Sequence, residues 1–300
     1  MTNRFVNALL VIFFCAGLGL TIRAHAYLSK LTTPPEVPSN PKRIVSLAPS
    51  ITETLYALGQ GDQVVGVTNF CNYPPEAQLI PKVAGFNEVN FEAVLRTNPD
   101  LVILPIDKLA NRQELDRLGL STTTMDTRDL ERYMDSVIAL GRTTNYQNQA
   151  ELIVGRIQGA LNRAASRAAG RPRPRVLFVV MHSYQGFGYI SEITAVGRDG
   201  FFDRMLTMAG GENVYQGALS FPKLSREAIM TLNPDVVVDL LQGPSEIESA
   251  MSDWMGLGDS VGAVRNNRIN LFTETSDTVP GPRIHSTIDK LSLAFFPENP

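Results

Sequence analysis

Residues 92–103 and 227–238 are two copies of one pattern, 135 residues apart and identical at six of twelve positions. Both contain an Asn-Pro-Asp turn, Asn98 to Asp100 and Asn233 to Asp235, and at the same offset Phe86 falls on Phe221. Each copy reads as a short helix, a turn that proline prevents from remaining helical, and an apolar strand. Asn90 and Ser225 are predicted N-caps of the two helices. A duplicated helix–turn–strand unit implies two similar lobes.

Other strands alternate with helices in both halves. Arg43–Ala48, Val64–Val67, Asp100–Leu104 and Thr122–Met125 are strand candidates in the first half, and Arg175–Val180, Asp235–Leu240 and Arg268–Phe272 in the second. Ser50 and Glu53 have capping-box spacing, and Gly59 is placed to end that helix. This alternation predicts an α/β fold with mainly parallel sheets. Between the halves, residues 130–169 lack strand character. Gly141 and Asn145 divide them, and from Gln147 the residues Ala150, Ile153, Ile157, Ala160, Leu161 and Ala164 keep helical spacing. A helix of about 20 residues spans about 30 Å, enough to bridge two lobes stiffly. The expected organisation is an N-terminal lobe at 43–145, an interlobe helix at 146–170 and a C-terminal lobe at 171–300. Such a clamp has little hinge motion.

The chain opens with Arg4, an apolar run from Phe5 to Ile22, and small residues at Ala24 and Ala26. That is the order of a signal peptide, residues 1–26, with the mature chain starting at Tyr27 and exported to the periplasm. Retention as a membrane anchor is the alternative. Phe13 and Phe14 before Cys15 argue against lipidation there. Residues 27–42, with four prolines between Thr32 and Pro41, form an extended leader. Export leaves Cys71 as the one cysteine, for which burial is the default.

Charge and motifs exclude several functions. With 27 Lys+Arg against 30 Asp+Glu, nothing offers the positive field a nucleic acid requires. Three His and two Cys are too few for a zinc cage or a disulfide framework, so no metal site or cofactor is expected. There is no H-E-x-x-H and no phosphate-binding G-x-x-x-x-G-K. No catalytic residue is nominated; a secreted α/β enzyme acting on a tetrapyrrole is the rival from another class.

The run from Pro41 to Ser50, followed by Thr52-Glu53-Thr54-Leu55 and Leu58-Gly59, resembles the opening of helical-backbone periplasmic binding proteins. Val65-Gly66-Val67, Tyr73-Pro74-Pro75-Glu76-Ala77, both Asn-Pro-Asp turns, Gly210 to Asn213, Leu224 to Glu227 and Pro282-Arg283 extend the likeness over most of the chain. Members of this family are solute receptors of ABC importers for cobalamin, iron-siderophores and haem. The resemblance implies two Rossmann-like lobes joined by one long helix (a class III periplasmic binding protein fold). It also implies a monomer that holds a small molecule in its cleft without catalysis and hands it to a permease dimer in the inner membrane.

The likeness is strongest to corrinoid-binding members, with haem or a ferric siderophore as the alternative ligand. By that resemblance Phe70, Phe86 and Phe221 stand where aromatic side chains grip the ligand, and Asp277 and Arg283 where an acid and a base meet its polar rim. Flat apolar faces suit a macrocycle on physical grounds as well. The three positions are all Phe in this chain, which removes indole and phenol hydrogen bonds, and the second-lobe cysteine bridge of those members is absent. His182 follows a strand and is a candidate ligand contact, since imidazole suits cobalt and haem iron; a hydrogen-bonded structural histidine is the other reading. Tyr184 and Tyr189 are candidate cleft walls or haem ligands. Glu92 and Glu227 each lie in the first turn of a helix, where a carboxylate is favoured by the dipole. The resemblance gives them a second role, one docking contact per lobe with the permease.

Overall fold

The computed structural model describes residues 36–86, 88–182 and 188–298. The signal segment, Cys15 and Tyr184 lie outside these. Among the described residues, no helix is long and apolar enough to cross a membrane.

The first lobe is built on a five-stranded parallel sheet of order β3-β2-β1-β4-β5. Its elements are β1 (Ile44–Ser46), α1 (Pro49–Leu58), β2 (Val64–Thr68), β3 (Lys82–Ala84), α2 (Phe91–Arg96), β4 (Leu101–Pro105), α3 (Leu109–Arg117), β5 (Thr122–Met125) and α4 (Leu130–Thr144). The second lobe carries six strands, with β8 beside β6 in a sheet otherwise ordered β11-β10-β6-β7-β9. They are β6 (Arg175–His182), β7 (Glu192–Ala195), α6 (Phe201–Met208), β8 (Glu212–Asn213), β9 (Lys223–Ser225), α7 (Arg226–Leu232), β10 (Val236–Leu240), α8 (Ile247–Met255), α9 (Gly262–Arg265), β11 (Ile269–Phe272), α10 (Thr275–Thr278) and α11 (Ile284–Phe295). Here β6, β8, β10 and β11 are parallel and β7 is antiparallel to its neighbours. Between the sheets runs α5 (Gln147–Ala168).

The repeat has a structural counterpart. Ile44 pairs with Leu101 in the first sheet and Val176 with Val236 in the second. In each lobe an arginine at the start of the central strand reaches the turn. Arg43 donates to the carbonyls of Thr97 and Asn98, and Arg175 to those of Leu232 and Asn233. Asn98 and Asn233 both adopt the left-handed conformation, with φ of 45° and 43°, which asparagine tolerates better than most residues. The predicted caps are present: Asn90 accepts the Ala93 N–H and Ser225 the Ala228 N–H.

One hydrophobic core runs through both lobes. It includes Ile44, Leu55 and Tyr133 of the first, Ile153, Ile157 and Leu161 of α5, and Phe178, Leu291 and Phe295 of the second. Residues spaced three and four apart put Ala150, Ile153, Ile157, Ala160, Leu161 and Ala164 on the buried stripe of α5. Arg163 of α5 clasps Asp289 of α11 from outside. Cys71 is buried, its sulfur 3.1 Å from the Thr52 hydroxyl and 3.2 Å from that of Thr68.

The capping box at Ser50 is corrected. Helix α1 begins at Pro49 behind Ala48, without a side-chain cap, and Glu53 instead bonds to Arg283. With Pro49 at the first helical position, Glu53 is the fifth residue of the helix, past the third position that a capping-box acid occupies, and its carboxylate meets a distant cation. Gly59 ends the helix as expected, at φ 86°.

Candidate functional site

In parallel α/β sheets a ligand sits beyond the carboxyl ends of the strands, where connecting loops converge. In the first lobe the loops after β2 and β3 carry Phe70 and Phe86. These rings are 51% and 78% exposed, with centroids 5.8 Å apart in an edge-to-face arrangement. The Phe70 N–H donates to the Thr68 hydroxyl at 3.2 Å, and the Asn69 N–H to the Ala84 carbonyl at 2.9 Å, so the two loops are tied together. The Lys108 ammonium lies 5.9 Å from the Phe86 ring centre. A hollow of about 10 Å³ beside Phe86 is far too small for a ligand. This lobe therefore offers an aromatic surface.

Phe221 of the second lobe is exposed before β9, and Tyr189 is exposed before β7. The Arg226 guanidinium lies 5.6 Å from the Tyr189 ring centre and donates to the Gly256 carbonyl. Buried Asp253 accepts the N–H groups of Gly188 and Tyr189, fixing the chain where it enters the second lobe's sheet again. A Cβ at Gly256 would come within 1.8 Å of the Gly188 carbonyl oxygen, so only glycine allows this approach.

Two expected ligand contacts face inward. The side chain of His182 is fully buried, with Nδ1 3.3 Å from the Asp239 carboxylate, which also accepts the Trp254 indole N–H at 2.7 Å. Burial in that network leaves the imidazole without exposed surface. Asp277 is also fully buried. It completes the capping box of α10 with Glu274, accepts from the Thr287 hydroxyl at 2.8 Å and pairs with Lys290 at 3.0 Å. A carboxylate so committed has no surface for a ligand rim.

Arg283 is half-buried and occupied. Its Nε and Nη2 donate to the two oxygens of Glu53 at 2.9 and 2.7 Å, and its guanidinium stacks 3.7 Å from the Tyr73 ring centre. Burial raises the Glu53 carboxyl above its ordinary value, although Arg283 opposes that shift. A second ion pair, Arg204 with Glu131 at 2.6 Å, also crosses between lobes. Beside it lies a polar chamber of about 620 Å³ at the starts of α4 and α6, lined by Asp129, Arg132, Arg198 and Asp203 among others. Among the described residues, no group of three His, Cys, Asp or Glu is arranged to hold a metal ion.

Glu92 and Glu227 are exposed on α2 and α7. Glu92 pairs with Arg96 one turn on, whereas Glu227 accepts from the Ser225 hydroxyl at 2.8 Å. Its own backbone N–H, then Ser225, hold the Glu227 carboxyl below its ordinary value. The residues before them differ. Phe91 packs on the first lobe's core, while Arg226 reaches Tyr189. Glu53, Tyr73, Arg226 and Asp253 had no functional assignment from sequence. Their partners are 230 residues away for Glu53 and 65 for Asp253, a separation no local motif encodes.

The comparisons agree with this architecture. Residues 44–269 match the family model described as periplasmic binding protein. An uncharacterised ABC transporter substrate-binding lipoprotein of Bacillus subtilis is 26% identical over 269 residues, covering 87% of this chain and 82% of the relative. A vitamin B12-binding protein of Yersinia pestis is 28% identical over 250 residues, covering 80% and 83%. A periplasmic heme-binding protein of Pseudomonas aeruginosa superposes with a TM-score of 0.71 at 27% identity, covering 87% and 94%. The periplasmic vitamin B12-binding protein of Vibrio cholerae also gives 0.71, at 23% identity, covering 85% and 96%, and supports the fold. Two sheets bridged by one long helix, a doubled Asn-Pro-Asp clasp and a match over most of the chain lead to one conclusion: this chain belongs to the periplasmic binding protein family.

Proposed function

We propose that the chain is the ligand-capturing component of an ABC importer, acting in the periplasm, and that its ligand is a corrinoid of the cobalamin type. The observation that carries this reading is the exposed edge-to-face pair Phe70–Phe86 at the strand ends of the first lobe. Exposed Phe221 and Tyr189 belong to the second lobe. Aromatic faces bury wide flat area at low entropy cost, and contiguous exposed apolar patches mark interaction sites. Relatives named vitamin B12-binding proteins support the corrinoid. Burial of His182 fits a cobalamin, which brings its own axial base.

Haem is the second reading. Similar structures bind it, and the exposed Tyr189 phenol would offer iron an oxygen donor. Phe70, Phe86, Phe221 and Tyr184 are assigned to the ligand in either case. Arg283 approaches it through Tyr73.

Glu92 and Glu227 are assigned to docking on a permease dimer, with one carboxylate per lobe meeting one half of a twofold partner. The receptor works as a monomer, by binding alone. Its N-terminal segment directs export and is then removed.

Visible-absorbance titration with cyanocobalamin, haemin and a ferric chelate tests the ligand assignment. Saturable binding of cyanocobalamin at sub-micromolar Kd, about −8 kcal/mol or better, is the expected result. Haemin binding without any corrinoid response selects the second reading.

A further inference from the structure

Arg283 begins the last helix of the second lobe, yet its strongest contacts are in the first. Glu53 is buried in α1, and its two oxygens receive Nε and Nη2 in a parallel, two-pronged bond. This geometry fixes the orientation of the guanidinium plane as well as its distance. One face of that plane then lies on Tyr73, in the loop that follows β2 and also carries Phe70. Nη2 also reaches the Thr275 hydroxyl of α10 at 3.4 Å. The approach is tight. A Cβ at Gly281 would sit 3.3 Å from Glu53 Oε2, so the turn leading into Arg283 is shaped around that carboxylate.

We propose that Glu53 and Arg283 form a strut across the lobe junction that positions the Tyr73 loop as a wall of the cleft. Both are thus positioning residues for ligand capture, and Arg283 does not contact the ligand. Three features support a strut over an ordinary surface ion pair. The carboxylate is desolvated, so removing its partner leaves an uncompensated buried charge. The guanidinium is shared between an anion and an aromatic face, a combination lysine cannot reproduce. The residues it joins are 230 apart in the chain and belong to different lobes. Tyr73 itself remains 42% exposed, so the stack with Arg283 leaves part of the residue accessible. The inference rests on a ligand-capturing cleft, whichever ligand that cleft takes.

The test combines ligand-free and ligand-bound measurements on the full mature chain. In hydrogen exchange followed by mass spectrometry, Arg283→Met and Glu53→Gln should each speed exchange in residues 69–73 by tenfold or more. Arg283→Lys should recover only part of the protection, and β10 should be unaffected. Affinity for cyanocobalamin, or for haemin if the parent takes that instead, should fall about tenfold in Arg283→Met and similarly in Glu53→Gln. The double variant should be no worse, because either change breaks the same connection. A ligand contact through Arg283 predicts instead that Glu53→Gln binds like the parent. That result, with 69–73 still protected, overturns the proposal. Tyr73→Leu keeps the ion pair and loses the stack, so it tests the loop's dependence on Arg283 even if the Glu53 variant fails to fold. Should neither probe bind the parent, the ligand reading falls while the exchange experiment still decides the strut.

Discussion

Asp100 and Asp235 occupy equivalent places in the two lobes, each accepting the backbone N–H of the arginine at the head of the central strand. Asp100 takes the N–H groups of Lys42 and Arg43 at 2.7 and 3.0 Å, and Asp235 that of Arg175 at 2.9 Å. Each aspartate also donates its own N–H back to the same arginine's carbonyl. The repeated Asn-Pro-Asp is therefore a clasp between the turn and the neighbouring strand.

Replacing either aspartate with alanine should cost about 1–2 kcal/mol of stability, the range for a charged acceptor that is partly solvated. The two losses should add, since the clasps share no residue. Urea unfolding of both single variants and the double variant checks this; a strongly non-additive double variant would show the clasps to be coupled.

The cleft aromatics should fall into one coupled pair and one independent member. Phe86→Ala or Phe221→Ala should each weaken cyanocobalamin binding by about 1–3 kcal/mol. Because Phe70 and Phe86 touch, their double-mutant cycle should show a coupling of about 0.5–1.5 kcal/mol. Phe86 and Phe221 arise from different lobes and should show little. Calorimetric titration of the variants gives each value.

Docking predicts a different signature. A Glu92→Gln/Glu227→Gln variant should keep parental ligand affinity and Tm and lose uptake in a system reconstituted with the cognate permease. Added salt should weaken receptor–permease association more in the parent than in that variant. Parental transport by the double variant would return both residues to the helix-terminal role.

Acid stability has an identifiable contributor. The hydrogen-bonded Arg128 guanidinium holds the Asp126 carboxyl at about 2, with Arg132 adding to the effect. An unfolded aspartate titrates near 4, so Asp126 favours the folded chain above that pH. The contribution should disappear as pH falls from about 4 toward 2. Thermal melts across that window should steepen in the parent and flatten in Asp126→Asn; identical slopes would remove Asp126 from the acid response.

Ligand should change loops more than lobe angle. One core crosses from sheet to sheet through α5, and two ion pairs, Glu53–Arg283 and Glu131–Arg204, brace the junction. Rotation on binding should be a few degrees. Small-angle scattering with and without cyanocobalamin should superpose; a large change in the radius of gyration would contradict this.

Much of the fold is written in local pattern. The repeat, the helix stripe of α5 and the Asn-Pro-Asp turns depend on neighbours within a dozen residues, and each has its structural counterpart. Strands β3, β7, β8 and β9 escape sequence reading because they are two to four residues long and depend on sheet neighbours. The site divides the same way. Exposed Phe86 and Phe221 stand at loop positions that the repeat and the family likeness both mark, and exposed Phe70 at one that the likeness alone marks. Asp277 and His182 carry suitable chemistry but point inward, and direction is set by tertiary packing. Glu53 has capping-box spacing, and its partner lies at the far end of the chain.

Trp254, held by the Asp239 carboxylate beneath His182, is the single tryptophan of the chain. The molecule thus carries a native optical label in one lobe only. Its emission reports on the second lobe's interior without engineering, while the first lobe stays dark. Quenching by a bound corrinoid or haem would be read from a fixed, buried point close to Asp253, which anchors Gly188 and Tyr189. Unfolding followed by this emission and by far-ultraviolet dichroism should give one transition if the shared core makes the lobes melt together, and two if it does not.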